Sequence, residues 1–94
     1  MENKNTALLV EPEHLVTHLQ MLGYWPVKWK SYVGSKNNSR GVRNNAQVIS
    51  YQRDRVWINP VEPGMEYTDI EWWELTDVAL RAIAYSLDNT LVGW

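Results

Sequence analysis

The chain has no cysteine and no phenylalanine, and no apolar run longer than a few residues. Without cysteine there are no disulfides, thiolate zinc sites, iron–sulfur clusters or thiol nucleophiles. Without a long apolar stretch there is neither a membrane span nor a signal-peptide core after Met1. A soluble, cytoplasmic protein with no membrane association is therefore expected. Phosphate-cradling glycine motifs are missing, and Ser31, Ser35, Ser39, Ser50 and Ser86 stand outside any nucleophile-elbow context. What remains is 94 residues, expected to form one domain over 1–94, with residues 1–5 polar and disordered. Six tryptophans and five tyrosines supply all its aromatic content.

The net charge of −2 conceals a division along the chain. Residues 28–55 hold Lys28, Lys30, Lys36, Arg40, Arg43, Arg53 and Arg55 against Asp54 alone, a balance of +6. Residues 56–94 hold Glu62, Glu66, Asp69, Glu71, Glu74, Asp77 and Asp88 against Arg81, a balance of −6. Such blocks either neutralise one another in the fold or form two poles, one of which meets a charged partner.

Periodicity gives the elements. Pro12 suits the first turn of a helix, and Leu15, Val16, Leu19 and Leu22 recur on one helical face until Gly23 stops it, which predicts a helix over 12–22. Thr6 to Val10 is short and apolar enough for a first strand. Tyr24 to Val33 alternates as a strand, with Trp25, Val27 and Trp29 on one side and Lys28, Lys30 and Tyr32 on the other. Residues 34–45 are rich in asparagine, glycine and cations, and read as a long exposed basic loop. Ala46–Gln52 and Arg55–Val61 form a hairpin closed by Arg53-Asp54, which pairs Ile49 with Ile58 and Tyr51 with Val56. The same closure pairs Ser50 with Trp57 and Gln52 with Arg55. Thr68 and Glu71 have capping-box spacing. Beyond them Trp72, Trp73, Leu75, Leu80, Ile83 and Leu87 fill one arc, which predicts a helix over about 69–88.

The expected fold is α+β. It is a small antiparallel sheet of three strands, or four if Thr6–Val10 contributes one, with two helices packed on one face in the order (β)αβββα. If Trp25, Val27 and Trp29 face the helices with Ile49, Tyr51, Val56 and Ile58, the open face presents Lys28, Lys30, Tyr32, Ser50, Gln52, Arg55 and Trp57. Rings set among cations suit single-stranded nucleic acid, with bases on the rings and phosphates on the cations. The plainer alternative is a solvated charged face with Tyr32 and Trp57 as cross-strand partners.

Other groupings carry less. Glu71, Glu74, Asp77 and Asp88 form an acidic strip that could imitate phosphates or dock a basic surface, or could simply be the solvated side of a helix. Trp72 and Trp73 read as core, although such a pair also has the character of an interface hot spot. His14 and His18 stand four apart on a helix, but His-Leu-Val-Thr-His has no glutamate and no third ligand accompanies it, so no metal or other cofactor is expected. Gly23-Tyr24 and Tyr32-Val33-Gly34 resemble, over a few residues, the paired tripeptides of GIY-YIG nucleases. That family follows its second tripeptide with an arginine-bearing helix; here a polar loop follows, and the likeness is set aside.

With no clustered acid–base pair, an enzyme is not expected. The reading is a small binding module that contacts nucleic acid, or a nucleic-acid-handling complex, through Lys28, Lys30, Lys36, Arg40, Arg43, Arg53 and Arg55 for charge and Tyr32 and Trp57 for stacking. The alternative is an inhibitor or adaptor that binds a host protein directly through the basic loop or the acidic strip. In general character it resembles the accessory proteins that phages direct against host nucleases and defence complexes. Oligomeric state is not legible.

Overall fold

The computed structural model describes residues 11–30, 34 and 36–92, with side chains described through Asp88. The Thr6–Val10 strand, the tail at 1–5 and Tyr32 lie outside the described residues. Helix α1 (Pro12–Met21) is followed by β1 (Trp25–Trp29), β2 (Ser39–Arg43), β3 (Gln47–Gln52), β4 (Arg55–Pro60) and β5 (Thr68–Asp69). A single 3₁₀ turn (Trp72–Glu74) then leads into α2 (Asp77–Val92). The strands form one antiparallel sheet in the order β4-β3-β2-β1-β5. The fold is α+β with two helices among the described residues, but the sheet has five strands where three or four were expected.

Helix α1 begins at Pro12 and ends as its sequence suggests. Gly23 adopts φ +89°, and its N–H donates to Gln20 O while that of Tyr24 donates to Leu19 O, a paired closure that satisfies the last carbonyls. Tyr24 and Leu19, joined by that closure, are both buried in the core. The β3–β4 hairpin has the expected register, pair for pair, from Ile49↔Ile58 to Gln52↔Arg55. Arg53 and Asp54 have φ +54° and +59°, the left-handed pair of a turn whose twist matches the strands it joins.

Three expectations fail. The 34–45 segment is not wholly a loop, because β2 lies within it. Asn44 makes that strand: its Oδ1 accepts from Ala46 N at 2.8 Å and Gln47 N at 2.7 Å, which turns the chain back into β3. Gly41 and Val42 are buried there between exposed Arg40 and half-buried Arg43. The final helix begins at Asp77 rather than near residue 69. Thr68 and Asp69 pair with Lys28 and Val27 as β5, so the sheet edge holds extended the residues meant to open the helix. The reciprocal cap belongs instead to Glu71 and Glu74 around the 3₁₀ turn, and Thr76 Oγ1 accepts from Ala79 N at 3.1 Å at the start of α2.

The third failure concerns β1. Residues directly opposite in an antiparallel sheet share a face, and Val27, Gly41, Ser50 and Trp57 form one such row. Trp25, Val27 and Trp29 therefore lie on the face of Trp57, and Lys28 lies on the face of Ile49. The helix-side core is built from Val42, Ile49 and Val56 of the sheet with Leu15 and Leu19 of α1 and Leu80, Ile83, Ala84 and Leu87 of α2. Helix α2 packs on β3, β4 and α1. Across the sheet, Val27, Val48 and Ser50 are also buried. Both faces near β1 are apolar, so alternation alone did not tell which side met the helices.

Pro26 sits inside β1 without harm. Its carbonyl accepts from Ile70 N at 3.1 Å on the β5 side, and in a strand the N and C=O of a residue point the same way. The absent N–H is therefore directed past the short β5 and not at β2. Between the helices, His18 Nε2 lies 2.7 Å from Asp88 Oδ1 and ties α1 to α2.

Candidate nucleic-acid interface

The register gathers most of the expected cations at one end of the sheet rather than across one face. Lys28 opposes Arg40, Trp29 opposes Ser39 and Gln52 opposes Arg55, so these residues, with Lys30 after β1 and Arg53 in the β3–β4 turn, share the same end. Lys36 lies three residues before β2 and is exposed, as are Lys30, Arg40, Arg53 and Arg55. None of these six cations makes an ion pair within 4.0 Å among the described residues. Two open clefts flank this end. One of about 580 Å³ lies between Lys28, Trp29 and Lys30 and the 62–66 segment; the other, about 530 Å³, lies between Arg40, Tyr51 and Arg53 and the Glu74–Thr76 approach to α2.

Trp57 stands just inward from the turn. The residue is 40% exposed, and its Nε1 donates to Gln52 O at 3.1 Å, which fixes the ring direction. The Arg55 guanidinium carbon is 5.9 Å from the ring centroid. A tryptophan held by its edge, with one cation alongside and others within a few residues, is a ready platform for a planar base.

Arg43 is separated from this group. It lies at the opposite end of β2, four residues from Ser39, or about 13 Å at the rise of a strand. Its guanidinium carbon is 5.3 Å from the Trp25 ring centroid and 5.0 Å from that of Tyr67, and its Nε donates to Asn44 O at 3.0 Å. Trp29 meets Tyr67 at 5.6 Å with the rings tilted by 59°, and Trp25 Nε1 donates to Asp69 Oδ1 at 3.1 Å. This half of the face is an internally partnered aromatic layer. Its one cue in the sequence was the density of tryptophan in β1; the involvement of Tyr67 follows only from β5 pairing beside β1.

The acidic residues do not form one strip. Glu71 and Glu74 cap the 3₁₀ turn, with Glu71 N donating to Glu74 Oε2 at 3.1 Å. Asp77 is exposed at the first turn of α2. Asp88 contacts His18, about 16 Å further along the helix. Trp72 joins the core, whereas Trp73, also expected there, is 79% exposed.

Comparison with protein families, with curated proteins and with solved structures finds no match to this chain. No described helix is long and apolar enough to cross a membrane.

Proposed function

We propose that this chain is a small non-enzymatic module that binds single-stranded nucleic acid at the basic end of its sheet. The observation that carries this reading is the gathering at that end of Lys28, Lys30, Lys36, Arg40, Arg53 and Arg55, unpaired among the described residues, with Arg55 beside the exposed Trp57 and Lys28 and Arg40 on the other face of the sheet. Cations left without carboxylate partners are free to neutralise phosphates and release counterions. The ring takes a base, and stacking of that kind contributes about 1–3 kcal/mol. Arg43, held between Trp25 and Tyr67, has no part in this contact. The test is titration with labelled oligonucleotides at several salt concentrations. Trp57→Ala should weaken binding by about 5- to 150-fold, and Lys30→Glu with Arg53→Glu should lower the salt slope by about 1.4. Equal affinity in all three proteins would remove the reading.

Exposure of Trp73 at 79% and Val78 at 60% favours one further reading, a protein-binding adaptor or inhibitor docked through the start of α2. It predicts that Trp73→Ala abolishes capture of a stoichiometric partner and leaves oligonucleotide affinity unchanged.

A further inference from the structure

Among the described residues, strand β4 is an edge of the sheet with β3 as its one neighbour, and every residue of it except Val56 is exposed. The two-residue turn determines which backbone groups are left over. In such a hairpin the closing pair, Gln52 and Arg55, exchanges both hydrogen bonds, and bonded pairs then alternate. Ser50–Trp57 and Val48–Asn59 are the next bonded pairs, and Val61 N donating to Ala46 O at 2.9 Å continues the series. Arg55, Trp57 and Asn59 thus direct their backbone groups at β3. Val56, Ile58 and Pro60 direct theirs outward, and no described hydrogen bond reaches them. Pro60 has no N–H to lose, which is the position an edge strand tolerates.

Edges of this length are commonly protected by a charge, a proline, a bulge or a covering segment. Here such residues stand only at the ends of the strand, Arg55 and Pro60, and no charged residue falls between Val56 and Val61. Trp57 and Ile58 are 40% and 41% exposed on opposite faces.

We propose that β4 is a homodimer seam, pairing antiparallel with β4 of a second copy about a two-fold axis at Trp57 and extending the sheet from five strands to ten. Self-complementarity argues for a second copy over an unrelated peptide. With the axis at Trp57, Val56 of each copy opposes Ile58 of the other, and both outward N–H groups of each copy find carbonyls. Apolar side chains then meet apolar ones on the helix face. Trp57 meets its own counterpart, and Arg55 faces Asn59, so no like charges oppose. Moving the axis to Ile58 sets Val56 against Pro60, which has no N–H to return. The pairing also places two Trp57 rings side by side on one face.

The absence of cysteine makes the register testable in the full chain. In the proposed dimer the two Trp57 Cα atoms form a non-hydrogen-bonded pair about 4.5 Å apart, within disulfide reach. The two Asn59 Cα atoms are about 13 Å apart, beyond it. Under mild oxidation, without nucleic acid, Trp57→Cys should form a covalent dimer at least about ten-fold faster than Asn59→Cys. By sedimentation equilibrium the wild-type chain should rise from 11.0 kDa toward twice that mass with concentration. Ile58→Lys should stay at the lower mass with an unchanged circular dichroism spectrum. A wild-type mass that never rises, equal crosslinking at the two positions, or a dimer that persists in Ile58→Lys would each overturn the proposal. Because no oligonucleotide is present, these outcomes are independent of the nucleic-acid reading.

Discussion

Gly41→Ala is the sharpest test of the fold, because the residue sits in a strand that the sequence presents as a loop. A Cβ built on Gly41 collides with Ile49 O and lies 3.1 Å from Ser50 Cα, all of it backbone of β3. Ordinary contact begins at 3.4 Å, so the methyl group has no room beside a carbonyl that cannot rotate aside. Either β2 or β3 must move. The row Val27–Gly41–Ser50–Trp57 runs through the middle of the sheet, so that movement disturbs buried Val27 and Ser50 together. Overpacking of this kind costs about 1–3 kcal/mol, which for a domain of this size lowers the melting temperature by about 4–8 °C per kcal/mol. Were residues 34–45 a flexible loop, the same substitution would stabilise by about 0.4–1 kcal/mol through the unfolded state. The two accounts differ in sign. Thermal unfolding followed by far-ultraviolet circular dichroism decides between them, and a melting temperature at or above wild type would refute the placement of β2.

Asn44→Ala should cost about 1–2 kcal/mol, because the Ala46 and Gln47 N–H groups lose their shared acceptor; chemical denaturation measures it. Trp73→Ala should change stability by less than about 0.5 kcal/mol, since a side chain 79% exposed supports little of the core, and an unchanged denaturation midpoint is the expected readout. Tyr24, whose hydroxyl donates to Gln47 Oε1 at 3.2 Å, has its pKa raised above the ordinary 10.0 by burial. Folded chains hold that proton longer than unfolded ones, so its contribution to stability is intact below pH 10.0 and declines as pH rises past it. The advantage of wild type over Tyr24→Phe should therefore shrink in denaturation series run upward from that pH.

Where local rules were unopposed, the sequence predicted the structure. α1 carries its own start and stop in Pro12 and Gly23, and the β3–β4 hairpin is determined by two turn residues and strict alternation. The misplaced elements share a cause: distant pairing overrode a local pattern. Thr68–Glu71 has the spacing of a helix start, yet β1 recruits Thr68 and Asp69 as an edge strand. Ser39–Arg43 has one aliphatic residue and forms a strand because its backbone fits between β1 and β3 and its glycine admits the close approach. The cations at the candidate site were identifiable by charge. Their grouping at one end was not, because it depends on the register of a strand that composition hides.

The central claim is that the basic end and Trp57 together bind a nucleic acid strand. The most direct measurement is anisotropy of a labelled single-stranded oligonucleotide titrated with wild type, Trp57→Ala and Arg43→Gln, beginning at about 50 mM salt, where electrostatic binding is strong. The account predicts a saturable rise for wild type that weakens steeply with salt. It predicts a marked loss of affinity for Trp57→Ala, and near-native affinity for Arg43→Gln once its folding has been confirmed by circular dichroism. A flat signal for wild type at low salt, or loss at Arg43 with none at Trp57, would contradict it.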